Sequence, residues 1–390
     1  MKKFISFLVR TAFTLALCAV ILAVGFSAFR SSDYYKWYQT DAVETADFGS
    51  PHKFYFKKLN NLEKHVYNEI LTQIYGMPES IEIPAIDAKQ LDRVFSALLY
   101  DNPDLFFVGR KCTLSSYMMK TFCSVEYIVE KEEYESLRSE LMSSAERVIA
   151  SLTKPDDEWQ TELEIHDYII ENCRYELDEP KLVRSSAYGA LVEGRAACEG
   201  YSKAAKLLFD MAGIESALVS GDATDSDGSR SAHMWNAVKI NGDFYFLDCT
   251  WDDPVNDEKK DIRIYSYFNV NNKMISETHS GFSYPFICTA TAENYYVKTG
   301  RFFEKYDRSK ENAVAELIAK EIDSGNWEIQ LRFGSKNVYK KAVEDLIDNG
   351  RIYGVLSKAD EKTSKRISLK SIVYYKDPGQ LMLTLIPESK

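Results

Sequence analysis

The sequence predicts an α+β chain, with a central domain flanked by two smaller α+β domains. Three observations carry this. A length of 390 residues exceeds one average domain. Helical spacing recurs in separate blocks, as in Leu91, Val94, Phe95, Leu98 and Leu99. Period-two runs meet at turn sequences, clearest at Asn241-Gly242 and at Asp377-Pro378-Gly379. Lys plus Arg number 48 against 59 for Asp plus Glu, giving a net charge of −11. That is the wrong sign for a protein that must neutralise phosphates, so nucleic acid is not an expected partner.

The N-terminus reads Met1-Lys2-Lys3, then apolar residues broken only by Arg10, then an uncharged stretch over 11–29. As a helix that stretch reaches about 28 Å, close to a bilayer core. Residues 1–30 are therefore expected to be a single-pass membrane anchor, with Lys2, Lys3 and Arg10 cytoplasmic and the following domains extracytoplasmic. The alternative is a secreted protein, because Ala23-Val24-Gly25 also fits a small-x-small cleavage site. Attachment through a lipid on Cys18 is disfavoured by Leu17, where a small residue is wanted. Residues 31–44 are polar and aromatic without period, as expected of a linker.

In the first domain, 45–153, a helix is expected from Asp87 to Tyr100, stopped by Asn102-Pro103. Strands are expected at Leu105–Val108 and Ser124–Val129, and a helix from Lys131 to Leu152. The central domain, 154–295, opens with a helix behind Pro155-Asp156-Asp157 whose apolar stripe is Trp159, Leu163, His166, Ile170 and Cys173. A histidine on such a stripe is read as a hydrogen-bonded core residue. The third domain, 296–390, should hold helices at Ser309–Ile322 and Lys336–Ile347 around a strand with Trp327, Ile329, Leu331 and Phe333.

Seven cysteines are few for an exported chain. Setting aside Cys18 and Cys198 leaves Cys112, Cys123, Cys173, Cys249 and Cys288, an odd set that cannot all pair. Cys112 and Cys123 flank a hairpin and could bridge; the other reading makes all five small buried hydrophobes.

The chemistry-bearing residues fall in three blocks: Gly194-Arg195-Ala196-Ala197-Cys198-Glu199-Gly200-Tyr201, His233-Met234-Trp235-Asn236 and Leu247-Asp248-Cys249-Thr250-Trp251-Asp252. Behind Cys198, the apolar Tyr201, Ala205, Leu208 and Ala212 predict an amphipathic helix, with Ser202, Lys203, Lys206 and Asp210 on its other side and a stop at Gly213. Cys198 then lies in the first turn, where unsatisfied N–H groups and the helix dipole favour a thiolate, and Gly200 keeps the approach open. Pairing Ile240 with Asp243 across Asn241-Gly242 makes paired residue numbers sum to 483. His233, Trp235, Asp248 and Thr250 then share one face, His233 and Asp248 as diagonal neighbours, and Cys249 turns to the other.

These blocks resemble the transglutaminase-like core family, a papain-like thiol fold, over about residues 155–290. The segment Asp101-Asn102-Pro103-Asp104-Leu105-Phe106-Phe107 is similar to exported bacterial members, while Ala197 departs from the bulkier apolar residue often found before the cysteine. The resemblance implies a catalytic helix packed on an antiparallel sheet, with Cys198 attacking a carboxamide or peptide carbonyl to form a thioester. His233 would move the proton and Asp248 orient the imidazole. The Cys198 backbone N–H is the expected oxyanion donor, with Tyr188 and Trp235 as side-chain candidates. The implied activity is acyl transfer on amide bonds of proteins or peptides at the cell surface. A cysteine peptidase or amidase of the same fold and a noncatalytic envelope-binding module are the alternatives. No cofactor or metal is expected: the Asp222–Gly228 loop puts Ala223 and Met234 where calcium ligands belong, and no paired zinc-ligand spacing is present.

Overall fold

The protein is described here from a computed structural model that covers residues 2–31, 50–117, 120–225, 227–253 and 263–390. Apart from Ser31, the expected linker at 31–44 lies outside the described residues. Two compact units are formed, Met1–Ser136 and Leu137–Lys390.

In the first unit, helix α1 runs over Lys2–Ser31. Several of its side chains, among them 2–9, 12, 26 and 28–31, lie outside the described residues. Among the described residues no helix is long and apolar enough to cross a membrane, so the structure does not carry the transmembrane reading of 1–30. Helix α2 (Asn61–Ile74) starts at a reciprocal capping box between Asn60 and Glu63, and α3 (Ala88–Asp101) at one between Asp87 and Gln90. Strand β1 (Ile81–Ile83) pairs with β3 (Lys120–Tyr127), which also pairs with β2 (Val108–Tyr117).

Of the strand expected at Leu105–Val108 only Val108, the start of β2, is a strand residue; a double turn precedes it, with Leu105 N donating to Asn102 O and Val108 N to Leu105 O, both at 3.1 Å. The apolar run Leu105-Phe106-Phe107 fills the core from this turn, and Phe107 O accepts from Ile128 N at 2.9 Å where β2 begins. Asp101 and Asn102 explain why the chain stops there. Asp101 accepts from Tyr55 N (2.9 Å) and Phe56 N (2.8 Å), and Asn102 Nδ2 donates to Tyr67 Oη at 2.7 Å. Both residues are buried and tie the end of α3 to the segment before α2.

Helix α4 (Lys131–Ser151) leads into the second unit, where α5 (Glu158–Asn172) is capped by Asp157. Two short strands, β4 (Arg174–Tyr175) and β5 (Arg195–Ala196), pair in parallel directly before helix α6 (Cys198–Met211). A four-stranded antiparallel sheet follows in the order β8 (Asp243–Leu247), β7 (Arg230–Ile240), β6 (Ser216–Thr224), β9 (His279–Ser280), with a one-turn helix α7 (Cys249–Asp252) after β8. The Asn241-Gly242 connection has φ of 51° and 94°, the left-handed pair that a two-residue hairpin turn of type I′ requires. The β7–β8 ladder pairs Ile240 with Asp243 and Asn236 with Leu247, the register expected from the turn.

Helix α6 differs from its expected amphipathic form. Ser202, Lys203, Lys206 and Asp210 are as buried as Tyr201, Ala205 and Leu208, so both faces are covered. The polar residues on the presumed outer face are internal partners: Lys206 Nζ bridges Asp210 (3.0 Å) and donates to Ser216 O (3.2 Å). Matched donors are what make a lysine so deeply buried tolerable.

The C-terminal part of this unit has its own mixed sheet, ordered β10 (Phe302–Phe303), β11 (Ile329–Phe333), β13 (Met382–Ser389), β12 (Ile367–Asp377). Helices α8 (Glu311–Asp323), α9 (Lys336–Val343) and α10 (Ile352–Asp360) supply its core together with Ile329, Leu331 and Phe333. All of this is mixed α+β, as expected.

Candidate active site

Cys198 is the first residue of α6, and it is partly exposed. Within this turn Gly200 N and Tyr201 N donate to Ala197 O at 2.9 and 3.1 Å, so the Cys198 N–H at the helix start is the amide expected to serve an anion there. Gly200 serves closeness of packing and not access. A Cβ there would lie 2.5 Å from Ala196 Cβ and 2.9 Å from Ser186 O, so only glycine lets α6 approach the 184–186 backbone. One turn later the helix is fastened to β7. Ser202 Oγ lies 2.8 Å from Cys198 O and 2.9 Å from Met234 O, and Asn236 Nδ2 donates to Ser202 O at 3.0 Å. Asn236, from the His-Met-Trp-Asn block, thus holds the cysteine helix against the histidine strand.

His233 sits on β7 opposite Gly221 of β6. Its Nε2 is 2.7 Å from Asp248 Oδ2, and the two side chains are 5% and 1% exposed. That pairing leaves Nδ1 for the thiol, which also interacts with the ring by hydrogen bond and charge. Burial favours neutral imidazole, but the charge and hydrogen bond of Asp248, assisted by Cys198, lift His233 to about 10. Burial likewise opposes an ionised Asp248, yet the His233 charge and hydrogen bond, then the hydrogen bond from His279, hold its carboxyl well below the usual range.

Asp248 does not continue β8. It caps α7, with Oδ1 accepting from Thr250 N (3.0 Å) and Trp251 N (3.2 Å). Thr250 therefore belongs to a helical turn and is not a strand residue facing His233. Cys249 is fully buried, and burial, reinforced by Asp248 and Asp252, pushes its thiol well above the ordinary value. It is a poor nucleophile, as the hairpin parity implies.

The two proposed side-chain donors are placed differently. Trp235 is buried and stacks on the His233 ring, with centroids 5.8 Å apart at 21°, and its Nε1 has no hydrogen-bond partner among the described residues. The Tyr188 hydroxyl donates to Glu140 Oε2 at 2.8 Å, and nothing brings it to Cys198. A residue the sequence did not single out is nearer. The half-buried Tyr175, on β4 opposite Ala196, is pushed up to about 12 by burial, then by the charges of Cys198 and Asp248. Its placement depends on the two-residue β4–β5 pair, which has no periodic signature.

His166 is buried behind this site. Its Nε2 is 3.3 Å from Asp252 Oδ2 and its Nδ1 3.0 Å from Asp167 Oδ1. Burial disfavours its charge, but Asp167 and Asp252 raise it to about 9, and burial lifts Asp252 to about 6 against the pull of His166. This pair, with Asp252 also accepting from Tyr267 N at 2.9 Å, secures the end of α7.

The second residue missed is His279 on β9. Its Nε2 is 3.1 Å from the same Asp248 Oδ2 that takes His233. Among the described residues, His233, Asp248 and His279 are grouped with ligand atoms within 4.8 Å, the spacing of a potential cation site. Both Nε2 atoms are already spent on Asp248 Oδ2.

Residues 144–249 match the family model of the transglutaminase-like superfamily. The span is less than half of the chain but contains Cys198, His233 and Asp248, and this part of the protein is transglutaminase-like. No curated protein sequence matches significantly. Among solved structures, a TGase aligns at 16% identity over 44% of this chain and 50% of that one, TM-score 0.26. A protein provisionally described as a cysteine protease, from Cytophaga hutchinsonii, aligns at 12% identity over 36% and 61%, TM-score 0.23. A protease described in the same provisional way, from Parabacteroides distasonis, aligns at 11% over 36% and 35%, TM-score 0.23. This chain spans half of the TGase chain, and less than two thirds of either protease.

Proposed function

We propose that the protein is a thiol acyl-transfer enzyme acting on amide bonds of proteins or peptides through Cys198, His233 and Asp248. The observation that carries this is the orientation of one imidazole. Asp248 occupies Nε2 of His233, so Nδ1 faces the thiol at the start of α6. Cys198 Sγ attacks the carbonyl carbon while its proton resides on Nδ1. His233 then delivers that proton to the departing amine as the C–N bond breaks, leaving a thioester. An acceptor amine attacks the thioester carbonyl carbon, its proton passes to His233, and the C–S bond breaks to release the new amide and the Cys198 thiolate.

The Cys198 backbone N–H and the Tyr175 hydroxyl are the donors for the oxyanion in this reading. Trp235 and Trp251 wall the imidazole, with ring centroids 5.8 and 5.9 Å from His233, and limit water at the thioester. Export, by anchor or by cleaved signal, belongs to the same reading and rests on Lys2, Lys3, Arg10 and the uncharged stretch over 11–29. Protease accessibility of the folded domains on intact cells tests it.

Incubating the protein with a glutamine-containing peptide, with and without a primary amine, tests the activity. Amine incorporation that disappears in Cys198→Ala is the expected result. Backbone cleavage in place of incorporation would make hydrolysis the activity of this site, and incorporation surviving in Cys198→Ala would remove the site assignment.

A further inference from the structure

His279 sits at the end of an ordered line of hydrogen bonds. Gln380 Nε2 donates to Tyr267 Oη at 3.1 Å, and Tyr267 Oη is 3.1 Å from Thr278 Oγ1. Thr278 Oγ1 is 2.8 Å from His279 Nδ1, and His279 Nε2 is 3.1 Å from Asp248 Oδ2. The direction of each bond follows from its chemistry. An amide nitrogen only donates, so Tyr267 accepts from Gln380 and its own proton is available for Thr278. The Thr278 hydroxyl has a second acceptor, Ile275 O, at 3.5 Å, but Nδ1 at 2.8 Å is much the better one. His279 is then a neutral ring whose only proton is on Nε2, aimed at the carboxylate.

The surroundings hold the ring still. It is fully buried, edge-on to Trp235 at 4.8 Å and tilted against Trp251 at 4.8 Å, and its backbone pairs with Ala223 of β6. Among the described residues, the titratable groups facing it are Asp248, His233 and Tyr267. Asp248 thus accepts four donors, two backbone N–H groups on Oδ1 and two imidazoles on Oδ2. A carboxylate so saturated cannot rotate without breaking a bond.

We propose that His279 is a positioning residue of this site: as a neutral Nε2–H donor it locks the Asp248 carboxylate, and through it the His233 ring, and Gln380 on the β12–β13 turn sets the direction of the line. The C-terminal sheet is thereby joined to the Cys198 chemistry. This rests on the acyl-transfer reading for its kinetic consequence but not for its tautomer.

Two measurements separate the two. Nitrogen-15 histidine spectra of the full chain read the tautomer whether or not the protein is active. The expected result is His279 with its proton on Nε2 and Nδ1 unprotonated at neutral pH; the reverse tautomer, or a doubly protonated ring, overturns the inference. Kinetically, His279→Gln keeps a nitrogen donor near the place of Nε2, whereas His279→Phe keeps the volume and ring contacts without it. With both variants folded by thermal melting, His279→Phe is expected to lose tenfold or more in kcat for amine incorporation at similar KM, with an altered pH profile. His279→Gln should retain most of the rate. Equal activity of the two variants, whether high or low, contradicts the donor role.

If His279→Phe does not fold, Gln380→Glu replaces it. A carboxylate takes the Tyr267 proton and inverts the line, so it should be slower than Gln380→Ala, and the opposite order overturns the proposal. Loss of activity on chelation with recovery on added zinc would make the cluster a metal site and overturn it as well. An inactive wild-type protein with the expected tautomer would sink the acyl-transfer reading alone.

Discussion

Replacing Asp248 with Asn changes one atom in the most constrained side chain of the site, and its cost can be read from the four bonds it accepts. The two backbone N–H groups on Oδ1, at 3.0 and 3.2 Å, require an oxygen there, so the new amide nitrogen must take the Oδ2 place. That nitrogen then faces two Nε2–H donors, from His233 and His279, previously at 2.7 and 3.1 Å. Donor meets donor, and His233 relieves this by moving its proton to Nδ1. The ring nitrogen that should accept the thiol proton is then occupied. In a Ser–His–Asp triad the same tautomer inversion costs about 10⁴ in kcat, and a loss of about 10³–10⁴ is expected here. Two charge-assisted hydrogen bonds vanish from a fully buried carboxylate, at about 1.5–3 kcal/mol each, so the variant should also melt lower. Steady-state amine incorporation gives the rate and calorimetry the stability. An Asp248→Asn protein that is folded and within tenfold of the parent would refute the orienting role of Asp248.

Three further outcomes follow from the geometry. Gly200→Ala sets a Cβ 2.5 Å from Ala196 Cβ and 2.9 Å from Ser186 O, and should cost about 1–3 kcal/mol in denaturant unfolding; an unchanged midpoint would mean that the contact relaxes freely. Cys112 and Cys123, whose thiols share a hydrogen bond across β2 and β3, should bridge under mild oxidation, seen as a loss of two hydrogens in the peptide mass; two alkylatable thiols after oxidation would count against it. The third concerns pH. His233 and His166 are raised in the fold to about 10 and about 9, against roughly 6.5 unfolded, so their contribution is complete below pH 6.5 and lost as pH rises through the folded values. The melting temperature should therefore fall between pH 7 and 10, and a flat profile there contradicts the two buried pairs.

Much of this site was legible because its parts are local. Asn241-Gly242 sets the turn, the turn sets the β7–β8 register out to Asn236 and Leu247, and Asp248, the next residue, then meets His233 from the cap of α7. Cys198 at a helix start followed from the spacing of Tyr201, Ala205 and Leu208. What escaped was non-local. His279 lies on a two-residue strand, and no local pattern says that it pairs beside β6. Tyr175 escaped for the same reason on β4. The polar face of α6 misled, because Lys206 and Asp210 neutralise each other inside the fold and look, in sequence, like a solvated face. Leu105–Val108 looked like a strand since an apolar run fills a core equally well from a turn.

The most direct test of the account is the reactivity of Cys198 itself. Iodoacetamide at mildly acidic pH, with site-resolved mass spectrometry, compares each thiol in the folded protein. A thiol paired with an imidazolium should be alkylated well before an ordinary cysteine under those conditions, and before the buried Cys249 and Cys173. Cys198 reacting no faster than an ordinary thiol would contradict the claim that His233 and Asp248 activate it.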